Sequence, residues 1–380
     1  MLRAAANPML SGVRVLDLSV TLPGPYCTLL LAHFGAEVFK VERPNAGDTM
    51  RATDPWLYEN LNRGKKSVVL DLKTERGRDV IRLLARKADV VVEGFRPGVV
   101  KRFGADYDSL KAVNPKIVYC SISGFGQEGP YRDRPGHDID YMALSGALAM
   151  TGRVEEDLPE GHVQKIPVSD FAAGLFAANA ILANLAAKER RSVYIDVSMT
   201  DLMLSWAALK SGHYFAEPAP KKPPAEPHYG VFKTKDDKHV ALGVIEDHFW
   251  QRLCRYFGWE DFLADPQLAT YKGRIERAEH ILPRLRAAVA KREQTALTED
   301  LLSFGVPCSP VQNWAEVTED PHVRYRELLG GGIDSSGQKY VQIDIPYRYE
   351  GFEPPQLERA PFLGEHTAEI IGLLRNTHAS

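Results

Sequence analysis

Asp170 stands at the head of an apolar segment in VSDFAAG. An aspartate there is first of all a helix cap, and otherwise a carboxylate that can act as nucleophile or base. His137, in PGHDIDY, follows a loop holding Gly129 and Gly136 and precedes an apolar helix. It reads as a hydrogen-bonded structural histidine or as a general base. Glu246, in GVIEDHFW, precedes a helix whose positive end it could cap. Arg43, Arg96 and Arg102, with Lys73, cluster after strand-like runs. Two readings are open for these cations: solvated loop residues, or a set surrounding an anionic, phosphate-bearing ligand.

Gly124-Phe125-Gly126-Gln127-Glu128-Gly129 matches GxGxxG directly after a predicted strand. A dinucleotide site requires that loop to open a helix whose N-terminus faces the pyrophosphate. PYRDRPG follows instead, with Pro130 and Pro135, so the nicotinamide reading is set aside. The chain has no Walker sequence, HExxH or GxSxG, which removes the common phosphate, zinc and hydrolase motifs.

The elements that must position these residues alternate. Val13 to Leu18, Glu37 to Val41, Ser67 to Leu72, Asp89 to Val92 and Ile117 to Ser123 read as strands, with helical spacing over Pro25 to Phe34 and Gly77 to Lys87. Near-continuously apolar strands separated by helices predict a parallel sheet covered on both faces. EGFRPG (Glu93 to Gly98) and Arg43-Pro44 then fall at strand carboxyl ends, where open α/β sheets bind ligands. Beyond residue 142 come a long helix over Asp170 to Arg191, a strand over Tyr194 to Val197 and a helix over Thr200 to Leu209. The proline-rich Glu217 to Pro227 marks a domain boundary. A hairpin (Gly230 to Lys233, His239 to Val244) follows, then helices near Phe249 to Phe257, Arg274 to Lys291 and Thr298 to Phe304. Glu319 to Gln338, with Gly330, Gly331 and Gly332, reads as irregular chain returning to the first domain.

Composition narrows the classes. With 44% hydrophobic and 26% charged residues over 380 positions, collagen-like, coiled-coil and disordered chains are excluded and two domains are expected. A net charge of -3 without a long basic run gives no footprint for nucleic acid. Cys27, Cys120, Cys254 and Cys308 are too scattered for a disulfide framework and read as reduced, mostly buried thiols. The longest apolar run, Phe171 to Ala187, is interrupted by Asn179 and Asn184 and falls short of the ~20 residues that span a bilayer. No membrane contact and a cytoplasmic location are expected.

Read in order, these stretches resemble the family III CoA-transferase superfamily, whose members include formyl-CoA transferase, carnitine CoA-transferase and α-methylacyl-CoA racemase. The likeness runs nearly end to end, through GVRVLDLSVTLPGPYCTLLLAHFGAEVFKVERPNAGD, NRGKKSVVLDLKT, ADVVVEGFRPGVVKRFG, GFGQEGP, GHDIDYMALSG, the helix after Asp170, FGVPCSPV and RAPFLGEHT. The resemblance implies that Asp170 is the catalytic aspartate. In the transferases it attacks an acyl-CoA thioester, giving an acyl-aspartyl anhydride and CoA thiolate. In the racemases it is one of two bases around the α-carbon, the other being the histidine of a GHD sequence paired to a glutamate, positions matched here by His137 and Glu246.

Transferases usually lack that histidine and carry a glycine-rich loop that this chain lacks between Glu226 and Glu246. Conversely, the paired glycines of racemases are missing from AEPHYGVFKT, and the transferase-like RAPFLGEHT is intact. The leading expectation is an α-methylacyl-CoA racemase-like isomerase that inverts the α-carbon of a 2-methylacyl-CoA by two-base proton transfer. The alternative is a CoA-transferase moving CoA between carboxylic acids through an anhydride on Asp170. Two-base inversion suits a histidine raised by Glu246 and an aspartate raised by burial, with backbone N–H groups at the start of the Asp170 helix as donors to the thioester oxygen. Neither route calls for a metal or other cofactor; coenzyme A enters as the substrate thioester.

The fold so implied is α/β, a Rossmann-like large domain with a parallel sheet plus a smaller α+β domain, in an interlocked homodimer. The expected boundaries are 1–200 for the large domain, completed by 330–380; 201–227 for a linker; 228–320 for the small domain; and 321–380 for the return. By resemblance, Arg43, Lys73, Arg96 and Arg102 lie near the CoA phosphates and adenine, with Leu70, Leu72, Gly94 and Phe95 along its path. The expected partners are an acyl-CoA and a second copy of the chain.

Overall fold

The structure is a computed structural model that describes residues 8–150, 165–211, 226–334 and 336–376. The chain forms two compact units, Met1–Glu217 with Glu327–Ser380, and Pro218–Arg326. Most of the proline-rich segment read as a boundary lies outside the described residues.

The first unit is built on six strands: β1 (Arg14–Asp17), β2 (Glu37–Glu42), β3 (Lys66–Val69), β4 (Val90–Glu93), β5 (Val118–Ser123) and β6 (Val193–Ser198). Their order is β3-β2-β1-β4-β5-β6 and every pairing is parallel. Val15 lies opposite Val38 on one side and Val90 on the other, and Val91 opposite Tyr119. β4 and β5 are buried along their whole length, which is why they read as near-continuously apolar runs.

Helices α1 (Pro23–His33), α2 (Met50–Thr53), α3 (Pro55–Asn62), α4 (Glu75–Ala85), α5 (Val99–Arg102), α6 (Tyr107–Lys111), α7 (Asp138–Leu144), α8 (Ala147–Met150), α9 (Val168–Leu185) and α10 (Met199–Lys210) complete this unit, with a last helix at Thr367–Asn376. Side chains of α1 and α9 pack one face of the sheet through Cys27, Leu30, Leu31, Ala173, Ala177 and Ile181. Ile81, Leu84 and Leu110, with Ile370 of the last helix, pack the other. Starts follow local chemistry: Pro23 and Pro25 pre-set the first turn of α1, and the Thr74 and Ser198 side chains accept from Gly77 and Asp201 to cap α4 and α10. By length and composition α9 is apolar enough to cross a membrane, yet its small residues are buried against α1 and the sheet.

Several expectations are corrected. Residues 201–210, assigned to the linker, are a helix of the first unit, because Leu202 and Met203 pack with Ala172 of α9. The helix expected to open at Asp170 opens at Val168 behind Pro167, and it ends at Leu185. The glycine-rich 330–332 segment is strand: β10 (Leu329–Ile333) pairs antiparallel with β11 (Lys339–Ile343), the Tyr340 ring lying over Gly332.

The second unit carries an antiparallel sheet of β7 (Tyr229–Lys233), β8 (His239–Gly243) and β9 (Cys308–Pro310). Its core gathers Val240, Leu242, Trp250, Leu253, Ile281, Leu285 and Leu297. The helix expected over Arg274 to Lys291 is two, Tyr271–Glu276 and Ala278–Val289, because Arg277 leaves helical geometry with φ -107° and ψ 19°. All four cysteines are free and buried.

Candidate active site

A cavity of about 1120 Å³ opens where β1, β4 and β5 end. Val20 to Pro23 follow β1, Gly94 to Pro97 follow β4, and Ile122 to Phe125 run off the end of β5; together they form three of its walls. This is the point at which strand order reverses, the place open α/β sheets leave a crevice beyond the strand carboxyl ends. His137, Asp140 and Tyr141 at the start of α7, and Asp170 and Phe171 in the first turn of α9, close it.

Asp170 is not the cap of its helix: it is the third residue of α9, whose cap position is Pro167. Its carboxyl makes no hydrogen bond or ion pair among the described residues, and burial, assisted by the charge of Asp138, raises its pKa from 3.8 to about 7. Asp138 fixes the helix start from outside: its Oδ1 accepts from the Ser169 amide at 2.7 Å and the Ser169 hydroxyl at 2.6 Å. The Ser169 N–H, expected as a donor to a thioester oxygen, is thereby committed, as is that of Phe171, which donates to the Pro167 carbonyl at 3.2 Å.

His137 is the cap residue of α7; its backbone N–H donates to Asp140 Oδ2 at 2.9 Å, and its exposed side chain lines the cavity. The GxGxxG segment opens no helix. Its first glycine is there for the Tyr141 ring, since a Cβ on Gly124 would stand 2.4 Å from it, and the Tyr141 hydroxyl donates to the Gly136 carbonyl at 2.6 Å.

The turn after β1 rests on a buried charge cluster. Lys40 Nζ pairs with Asp48 Oδ2 at 2.9 Å, and Lys65 Nζ with Asp17 Oδ2 at 3.0 Å, all four side chains wholly inaccessible. Burial alone would raise the Asp17 carboxyl, but Lys65, Lys40 and the Ser19 and Thr28 hydroxyls outweigh it and hold it well below the usual range. Asp48 Oδ1 accepts from the Thr21 amide at 3.1 Å and keeps that β-branched residue at φ +66° in the cavity wall. Glu93, at the end of β4, is raised to about 7 by burial, against hydrogen bonds from Ser121 and from the Phe95 amide at 2.8 Å.

The structure thus brings together Gly94, Phe95, Arg96, His137 and Asp170. Of the others in the same unit, none lines the cavity. Arg43 is exposed and donates to the Gly47 carbonyl at 3.1 Å, Lys73 and Arg102 are exposed, Leu70 is buried in the core, and Leu72 packs against that core. Glu246 belongs to the second unit, where it precedes the helix Asp247–Phe257; contrary to expectation its side chain forms no cap bond. Sequence reasoning passed over Arg132, Arg134 and Lys165, all lining the cavity. The signal for the first two was the dense charge of YRDRPG between two prolines.

The sequence pattern of CoA-transferase family III matches residues 10–367. The chain is 33% identical over 397 residues to the succinate–glutarate CoA-transferase of Agrobacterium fabrum, covering 97% of this chain and 96% of that one. It is 34% identical over 388 residues to the succinyl-CoA:mesaconate CoA-transferase of Haloarcula hispanica, covering 95% of each. Among solved structures, a CaiB/BaiF family protein from Brucella suis superposes with a TM-score of 0.82 at 30% identity, over 97% of this chain and all of that one. A pattern that spans the strands, the crevice and the helix bearing Asp170 makes this chain a member of CoA-transferase family III.

Proposed function

We propose that the chain is a CoA-transferase that moves CoA between two carboxylic acids, with Asp170 as the covalent carrier. One observation carries the reading: a partly desolvated carboxyl with no partner among the described residues, raised to about 7, faces a cavity large enough for a thioester at the sheet's switch point. Stripped of hydration and of competing donors, such a carboxylate is a stronger nucleophile than an exposed one. The names of the two relatives favour this reading over the isomerase. Those names also put dicarboxylic acids forward as substrates.

In this mechanism the Asp170 carboxylate attacks the thioester carbonyl, forming a C–O bond and breaking C–S, to give the acyl-aspartyl anhydride and CoA thiolate. The thiolate then attacks the aspartyl carbonyl, which releases the first acid and leaves CoA on Asp170. An incoming carboxylate repeats the sequence in reverse and departs as the new acyl-CoA. Gly94, Phe95 and Arg96 are proposed to hold the CoA moiety, Arg96 as the phosphate-facing cation. Two copies of the chain are proposed to assemble, as argued below.

Hydroxylamine added during turnover with an acyl-CoA donor tests the reading: a mass shift is expected on the peptide containing Asp170, because an anhydride is electrophilic. The isomerase remains as a second reading because His137 and Asp170 line one cavity. Deuterium wash-in at the α-carbon of a 2-methylacyl-CoA in D₂O, with no adduct on Asp170 and no transfer to a free acid, would establish the isomerase instead.

A further inference from the structure

Four cations line the cavity, Arg96, Arg132, Arg134 and Lys165, and they differ in what already engages them. Arg132 pairs with Asp133 at 3.5 Å. Arg96 follows β4, on the wall proposed for CoA. Arg134 has no carboxylate partner among the described residues; its guanidinium lies 3.4 Å over the centroid of the Tyr131 ring. The support behind it is a row of rings: Tyr131 meets Phe125 edge-on at 6.1 Å, and Phe125 meets Tyr141 edge-on at 5.3 Å. A guanidinium held over a ring face by its central carbon keeps N–H donors at its rim available, and a planar fork of this kind can take a carboxylate through two parallel hydrogen bonds.

Its distance from the reacting carboxyl is also bounded. Arg134 precedes Asp138 by four residues, at most roughly 14 Å of extended chain, and Asp138 is bonded to Ser169, the neighbour of Asp170. The loop that carries the cation is therefore stapled to the helix that carries the nucleophile. We propose that Arg134 is the specificity-determining residue of this site, pairing with the carboxylate of a dicarboxylic acid that does not react while the other carboxylate meets Asp170. The proposal rests on the transferase reading and adds to it the residue that separates dicarboxylic from monocarboxylic acids.

The test measures CoA transfer from succinyl-CoA to glutarate and to pentanoate, acids of equal chain length that differ in the second carboxylate. Wild-type protein is expected to prefer glutarate. In Arg134→Gln, loss of a charge-assisted pair is expected to raise the KM for glutarate roughly 10- to 100-fold, with kcat within about threefold and pentanoate unaffected. Arg134→Lys, which keeps the charge and loses the fork, should fall between. Arg134 is exposed, so neither variant is expected to disturb folding, and near-ultraviolet circular dichroism checks this. An equal rise in the KM of both acids at saturating succinyl-CoA, or an undiminished glutarate preference in Arg134→Gln, would overturn the proposal. So would a rise confined to the KM of succinyl-CoA that disappears with succinyl-pantetheine, since Arg134 would then serve a CoA phosphate. Absence of transfer by wild-type protein to either acid strikes the transferase reading itself, which separates the two failures.

Discussion

At the scale of single residues the chemistry turns on Asp170, whose environment favours the neutral acid while its proposed role needs the anion. With its pKa raised by burial to about 7, kcat/KM for acyl-CoA should fall as pH drops below that value, with a slope of one proton. Asp170→Asn should lower transfer by more than about 10³-fold at saturating substrates, read as initial rates of thioester exchange. The same shift has a consequence for stability. The folded-state value lies above 3.8, so the group's favourable contribution is complete below that pH and is lost as pH rises to about 7. Above it, a half-buried charge with no partner among the described residues is a cost, and Asp170→Asn should stabilise the protein there by about 1–3 kcal/mol, with little gain at pH 4. Thermal melts of both proteins at pH 4 and pH 8 check this; an equal change at the two pH values would place the effect in packing. Glu93, buried at the end of β4 and raised to about 7, carries the same sign.

At the scale of elements, the helix bearing Asp170 is held by a close approach and the turn facing it by buried charge. A Cβ on Gly174 would stand 2.5 Å from the Pro23 carbonyl of α1, so Gly174→Ala must push α9 away, at a cost of about 1–3 kcal/mol, and displace Asp170. The measurable result is a lower denaturant midpoint together with a lower kcat. Asp48→Ala leaves Lys40 buried beside a released Thr21 turn and should destabilise by about 3–5 kcal/mol in the same assay. These features also mark where the sequence was legible. β1, β2, β4 and β5 could be read because strands covered on both faces are mostly apolar and β-branched. Gly94, Phe95, Arg96, His137 and Asp170 could be placed because the first three follow β4 and the others begin helices beside the same crevice. Arg43 and Lys73 gave the same signal, but they follow β2 and β3, outboard of the switch point. Asp17, Lys40, Asp48 and Lys65 look like ordinary surface charges in sequence, because only tertiary packing decides that they are buried in pairs. Arg134 was hidden for a related reason: its orientation comes from Tyr131, Phe125 and Tyr141, and no local pattern encodes that row of rings.

At the scale of the whole molecule, the first unit presents an apolar surface that a soluble monomer has little reason to keep. Leu175 and Phe176 of α9 and Leu204, Trp206 and Leu209 of α10 are all exposed, Leu209 at 85%, and the Phe176 and Trp206 rings meet edge-on at 6.0 Å. Side chains of this kind gathered on two adjoining helices mark an interaction face, and the proposal of a homodimer takes a second copy as its occupant. If the interface is obligate, unfolding is coupled to dissociation, so the melting midpoint should rise with protein concentration. The double variant Leu204→Glu with Leu209→Glu separates assembly from folding. Both side chains face solvent in the single chain, where surface substitutions change stability by no more than about 0.5 kcal/mol. A large loss of stability in the variant, with a monomer in sedimentation velocity, would therefore report the interface and not the fold. Activity should fall with the dimer, in proportion to the dissociated fraction, if the partner completes the site. An active wild-type monomer at micromolar concentration, with a melting midpoint independent of concentration, would overturn the assembly and leave the cavity of one chain to perform the transfer alone.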